Sequence, residues 1–381
     1  MSWILRCGVI MATALSLNDS VSHADDSRIP VFVSSFAPGE KGAIDALEFD
    51  LKTGQLHFRG RTGGMEHPFF MALSDDRRFL YAIHAPGDFG GKNNEYVSAY
   101  AHDQKTGSLK LLNRESALGT AACFLDVDAT GKMVLVANYS TGSVASLPIT
   151  ADGSLKPAAS FVQHVGSSVS EERQKAAHAH CFVISPDNRF ALAADLGLDQ
   201  ILVYAIDPSS GQIKPAEQPF VRTLPGAGPR HLTFHPNGKD VYVINELANS
   251  VTHFSYQASD GRLTERSTIS TLPEDFKGTS YCADLKITPD GKHLFGTNRG
   301  HDSIAAYRIN SDGTLEHLAN VPSRGAGPQN LAITPDGQWL LCANMPGNSL
   351  AVFRIQDAKK GPLNPVHEPF EITSPSCIML P

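Results

Sequence analysis

The chain has 381 residues, 41% of them hydrophobic and 19% charged, and a net charge of −7. No block of Lys or Arg interrupts that acidic balance, which argues against a nucleic-acid surface. Beyond the N-terminal leader no apolar run is long enough to form a membrane helix.

Residues 1–24 read as a processing segment. Arg6 supplies a positive start, Cys7 to Leu17 form a short apolar run, and Val21-Ser-His-Ala24 places small residues before Asp25-Asp26. Cleavage after Ala24 and export to a periplasm or the medium are expected. The mature part, residues 25–381, then forms one domain. Of six cysteines Cys7 leaves with the leader, and Cys123, Cys181, Cys282, Cys342 and Cys377 form no CxxC pair. They are expected to be mostly buried free thiols.

Two kinds of hairpin then alternate along the chain. One ends in Gly followed by an apolar residue: Phe49-Asp-Leu-Lys-Thr-Gly54, Asp103-Gln-Lys-Thr-Gly107, Ala151-Asp-Gly153, Asp207-Pro-Ser-Ser-Gly211, Ser259-Asp-Gly261, Ser311-Asp-Gly313 and Ala358-Lys-Lys-Gly361. Those glycines recur every 46 to 58 residues. The other turns at Ser74-Asp-Asp-Arg, Asp128-Ala-Thr-Gly, Ser185-Pro-Asp-Asn, His235-Pro-Asn-Gly, Thr288-Pro-Asp-Gly and Thr334-Pro-Asp-Gly, which makes six copies. Four strands per unit at this period predict an all-β fold, a seven-bladed β-propeller. The missing seventh copy is explained if Pro375-Ser-Cys-Ile-Met-Leu380 pairs beside Val31-Phe-Val-Ser34 and closes the ring inside the first blade.

The hairpin from Gly228 to Leu247 is the most informative. Arg230 stands eight residues before Gly238 and Glu246 eight after, so simple register sets them opposite, with Cβ atoms about 5 Å apart. Counting from each turn aligns Arg230 with Phe69, Cys123, His180, Ala283 and Gln329. It aligns Glu246 with Ala85, Tyr139, Leu196, Arg299 and Met345. A third column holds His84, Asn138, Asp195, Asn245, Asn298 and Asn344. These columns should ring one mouth of the central channel.

His180, Arg230, Glu246 and Arg299 are therefore the candidate catalytic groups. His178, Asn138, Tyr139, Asp195, Asn245, Asn298, Gln329 and Asn344 are the candidate substrate contacts. On the residues alone, Arg230 and Glu246 are equally well read as a cross-strand ion pair, and the Asn column as caps for strand ends. His178 and His180 alternate on one strand with no third ligand at a telling spacing, so no metal and no cofactor are expected.

These segments resemble the seven-bladed propeller lactonases typified by bacterial 6-phosphogluconolactonase, a family that includes a carboxymuconate lactonising enzyme. The resemblance rests on Asn138-Tyr139, Gln174-Lys-Ala-Ala-His178-Ala-His180, Asp195-Leu-Gly-Leu-Asp199, Gly226-Ala-Gly-Pro-Arg-His231, Val243-Ile-Asn-Glu-Leu247 and Thr297-Asn-Arg-Gly-His-Asp-Ser303. It implies a site of His180 (or His178), Arg230, Glu246 and Arg299. Where the family often has Asn-Glu this chain reads Ile83-His84-Ala85, and where it often has Pro-Arg it reads Pro328-Gln329. Both exchanges remove charge from the rim.

The expected activity is hydrolysis of a sugar lactone, 6-phosphogluconolactone or a plain aldonolactone, by a monomer. Glu246 would act as base toward water, the arginines would bind the oxyanion, and His180 would protonate the leaving alkoxide. No Gly-x-Ser-x-Gly elbow points to an acyl-enzyme. A lactone-forming cycloisomerase and a non-enzymatic binding propeller are the alternatives.

Overall fold

The computed structural model describes residues 27–92, 95–356 and 361–381. The leader expected at residues 1–24 and the cleavage expected after Ala24 lie outside the described residues, as does most of the turn before Gly361.

Seven four-stranded antiparallel sheets form the described chain, with a single 3-10 turn at Gly39–Lys41. The innermost strands are Met71–Leu73, Ala122–Val127, Ala179–Ile184, Pro229–Phe234, Tyr281–Ile287 and Pro328–Ile333 in blades 2 to 7. In blade 1 that place is taken by Pro375–Met379, the last strand of the chain. It pairs with Arg28–Ser35 through Ser34↔Cys377, Val33↔Ile378 and Phe32↔Met379. The first and last described strands thus close the ring inside blade 1, as the repeat count requires, and every blade has four strands.

The cores lie between blades rather than within them. Leu192 and Val203 of blade 4 meet Val241 and Phe254 of blade 5, all fully buried. Replacing Phe254 by Ala would cost about 3–5 kcal/mol. The glycine turns seal the outer seams: all seven glycines have positive φ. At Gly153 a Cβ would stand 2.2 Å from the Phe79 ring of the preceding blade, and the Gly153 carbonyl accepts a hydrogen bond from Tyr81. Shape and backbone conformation both demand glycine there.

One expectation fails in detail. Pairing runs Pro229↔Asn245 and then His231↔Ile244, so Arg230 is the extra residue of a β-bulge and Glu246 lies past the strand end. The simple register is wrong because the hairpin is not symmetric about Gly238. The bulge recurs at Cys123, His180 and Gln329. In blade 6 it takes in Ala283 and Asp284, and in blade 1 it falls on Ser376. A bulge re-aims its extra side chain, and here a ring of them surrounds the channel.

Candidate active site

The bulged residues and the residues just past the second strands enclose a cavity of about 240 Å³ at one mouth of the channel. His180, Arg230, Glu246, Arg299, Tyr139 and Gln329 all line it, as the aligned columns predict. Phe70, Phe124 and His231 pack together, their rings edge-to-face or stacked at 4.4 to 6.0 Å, and His231 lies edge-on to the cavity residue His180 at 5.3 Å.

Glu246 is the electrostatic centre. Its Oε2 accepts from Arg230 Nε at 2.9 Å and pairs with Arg299 Nη2 at 2.9 Å. Its Oε1 accepts from Arg173 Nη2 at 2.8 Å. Burial alone would raise the Glu246 carboxyl, but Arg299, Arg230 and Arg173 together more than reverse that and hold it below its usual range. Despite the misjudged register, the ion pair forms because the bulge turns Arg230 toward the strand end.

Each arginine is fixed differently. Arg299 is held by the Tyr281 and Cys282 carbonyls, Gln329 Oε1 and Glu246. Arg230 is buried; its Nη1 donates to the Ala283 carbonyl and to His231 Nε2 at 3.1 Å. His231 Nδ1 in turn donates to Asp284 Oδ1 at 2.9 Å, which fixes a neutral imidazole. Burial and then Arg230 bring the His231 pKa down to about 4. Lys286 and His231 hold the Asp284 carboxyl well below its usual range, against the opposing effect of burial. Burial and Arg299 lower Arg230 itself to about 10, so it stays charged at neutral pH.

Arg173, missed by the repeat alignment, closes the third side. It reaches in from the 164–178 loop, donates to the Tyr139 hydroxyl at 3.0 Å and lies over the Tyr281 ring. A loop residue has no place in a hairpin count; the only available signal was its position beside Gln174, where the family-like segment begins. Phe89 was missed for the same reason. With Phe36 and Phe69 it forms an apolar wall opposite the arginines, at ring separations of 5.1 to 5.4 Å.

His180 rather than His178 faces the cavity. Its Nδ1 is 3.6 Å from Cys123 Sγ, and among the described residues no hydrogen bond involves its Nε2. Burial first, then Arg230 and His231, push its pKa well below the ordinary value, so it is neutral rather than poised to titrate near pH 7. His178 stands behind, stacked on Tyr139 at 4.6 Å with Nδ1 on the Tyr139 carbonyl.

The Asn column is placed under the loops, not in the cavity. Asn138, Asn298 and Asn344 donate to the carbonyls of Ala117, Thr271 and Ser323, each at the end of the preceding blade. Asn245 donates to Ser250 and Thr252. Asp195 accepts from the backbone of His178, Gly197 and Leu198 and from His164, thereby fastening the loop that carries Arg173. These five residues are at most 1% exposed and hold the site's framework. Their amides and carboxylate satisfy backbone groups that strands leave open at their ends. All five cysteines among the described residues are free and buried, as expected. Among the described residues no cluster of His, Cys, Asp or Glu could hold a metal ion.

Comparison with known proteins decides the family. The model of the seven-bladed β-propeller lactonases matches residues 30–380. The chain belongs to this family. The 6-phosphogluconolactonase of Bacillus subtilis is 32% identical over 300 residues, 78% of this chain and 83% of the relative. That of Formosa agariphila is 31% identical over 309 residues, 79% of this chain and 85% of the relative. A solved structure of a periplasmic gluconolactonase from Pseudomonas aeruginosa superposes with a TM-score of 0.86 at 30% identity, covering 93% of this chain and 99% of that one. As a member of the lactonase family the protein is a lactone-hydrolysing enzyme.

Proposed function

We propose that the protein hydrolyses a sugar lactone to its open-chain acid by direct attack of water, with His180 as the base. The observation that carries this reading is the pair of nitrogens left free at the cavity wall. Among the described residues no hydrogen bond involves His180 Nε2 or Arg230 Nη2, whereas each of the three guanidinium nitrogens of Arg299 already has a partner in the protein.

A lactone carbonyl set against Arg230 Nη2 gains a donor as its oxygen becomes an oxyanion. His180, neutral at working pH, takes the proton of the attacking water on Nε2. When the tetrahedral intermediate collapses, the ring C–O bond breaks and the same proton passes to the departing alkoxide. Glu246 keeps the three guanidinium groups in place. This differs from the assignment of Glu246 as base, because Arg230, Arg299 and Arg173 occupy both its oxygens, whereas Nε2 of His180 is open to a water.

The named relatives act on lactones by hydrolysis, which favours this reading over cycloisomerisation or a binding-only propeller. The periplasmic relative supports export of this chain as well. The two base assignments separate by kinetics. His180→Gln should lower turnover of glucono-1,5-lactone more than Glu246→Gln does, after subtraction of spontaneous hydrolysis. A Glu246→Gln protein that folds but is the slower of the two would return the base to Glu246.

A further inference from the structure

The cavity does not end at its rim. Arg299, Gln329 and Met345 belong both to it and to a second groove of about 450 Å³ between blades 6 and 7. By itself the cavity is smaller than the roughly 300–1,000 Å³ that ligand sites usually offer; the groove more than doubles the space.

The groove is built. Tyr281, 39% exposed with Arg173 over one face of its ring, lines one side, and Thr279 and Pro346 flank it. Its floor is backbone: a Cβ at Gly300 would stand 2.4 Å from the Thr279 carbonyl, and one at Gly327 would stand 2.4 Å from the Pro346 ring. Asp302 Oδ1 accepts from both glycine amides, at 3.1 and 2.9 Å, and so fixes that floor. Such a shallow floor beside an exposed aromatic face suits a flat ring with apolar C–H faces.

Position selects the ligand. The groove begins in blades 6 and 7, across the channel mouth from His180 in blade 4. In a six-membered aldonolactone C4 lies across the ring from the carbonyl carbon. With the carbonyl at Arg230 and His180, a substituent on C4 points into the groove. We propose that the groove is a second sugar subsite and that the enzyme takes disaccharide aldonolactones, 4-O-glycosyl lactones whose distal ring lies on Tyr281. The inference rests on the hydrolase reading above.

Initial rates with cellobiono-1,5-lactone and glucono-1,5-lactone test it, in the wild type and in Thr279→Trp, which fills the groove without touching the cavity. The disaccharide lactone should show the lower KM in the wild type. Thr279→Trp should raise that KM by about tenfold or more, the discrimination one apolar pocket can give, and leave glucono-1,5-lactone unchanged. Equal KM values in the wild type, or a Thr279→Trp defect shared by both lactones, would overturn the subsite alone. Failure to turn over either lactone would remove the hydrolase reading and the subsite with it.

Discussion

The two sides of the channel mouth are built alike and filled differently. In blades 4 and 5 the bulged residues are His180 and Arg230, and blade 6 sends in Arg299 from its second strand. In blades 7 and 1 the bulged residues are Gln329 and Ser376, and Phe69 stands in the matching column of blade 2. Around those three stand Met345, Phe36 and Phe89, and the one charged group they meet is Arg299, which reaches Gln329 from blade 6. The backbone device is common property of the repeat; the chemistry is confined to one arc of it. A bulge aims a side chain at the axis whatever that side chain is, so a blade becomes catalytic by substitution at a single position.

The sharpest test of that contrast replaces the same bulge residue on each side. His180→Gln should lower kcat/KM for glucono-1,5-lactone by about 10²–10⁴-fold, the usual contribution of a general base. Ser376→Ala removes hydrogen bonds to Ser34 and to the Pro68 carbonyl at the blade seam, and should change kcat/KM little. Comparable losses in both variants would mean that the ring acts through its packing and that the arc is not special.

Arg230→Met comes next, with two readouts. Loss of the oxyanion donor should cost about 10²–10³ in kcat. Breaking the buried pair should also destabilise the fold, toward the lower end of about 3–5 kcal/mol because Arg173 and Arg299 still meet Glu246. Urea unfolding beside steady-state kinetics separates the two. Full activity in a destabilised Arg230→Met protein would reduce Arg230 to a structural ion pair, the plainer of its readings from sequence.

How far the sequence reached follows the same division. Turns and ring closure were legible because they need particular residues: glycine at positive φ in seven seams, and a strand-like tail with no partner of its own. The cavity-lining residues were legible because repeats can be superposed by counting. Counting set Arg230 opposite Glu246 because it centred the hairpin on Gly238, whereas the register centres between Asn237 and Gly238 and the bulge then brings Pro229 to face Asn245. It could not find Arg173, on a loop without a period. It also gave no sense of direction: the Asn column is polar and near the mouth, yet its amides turn outward to the loops of the preceding blades. Asp284 and His231 escaped notice because on an inner strand they look like ordinary alternating polar residues.

A smaller effect probes acid stability on both sides. His231 in the charged arc and His84 in the other are both buried, with pKa values brought down to about 4, by burial first and nearby arginine second. An unfolded histidine titrates near 6.5. As pH falls from about 6.5 to about 4 the unfolded chain binds protons that the folded chain refuses, so stability is lost through that window. Each histidine contributes at most about 3 kcal/mol to the loss. Neither His84 ring nitrogen has a partner, and its ring stacks on Tyr96, so Phe can replace it. His84→Phe should flatten the fall in urea midpoint between pH 6.5 and 4 and leave kcat/KM unaltered. An unchanged acid profile would show that His84 does not titrate there.

The smallest expected effect moves charge into the neutral side. Gln329 Oε1 accepts from Arg299 Nη1 at 3.4 Å, and the resembled family often carries arginine at this position. Gln329→Arg would set two guanidinium groups side by side in the cavity lining, where Gln329 is only 6% exposed and meets solvent through the channel mouth. Screening keeps the repulsion near about 1 kcal/mol, so the fold and the oxyanion site should survive. The new cation also lies where an anionic substituent on the lactone would pass. KM for 6-phosphogluconolactone should therefore fall by about fivefold while KM for glucono-1,5-lactone stays constant or rises slightly, since about 1 kcal/mol corresponds to that factor. The shift should shrink in 0.5 M salt, because an exposed charge acts through screened Coulomb attraction. Equal changes for the two lactones at any salt concentration would show that position 329 acts on the shape of the rim and not on its charge.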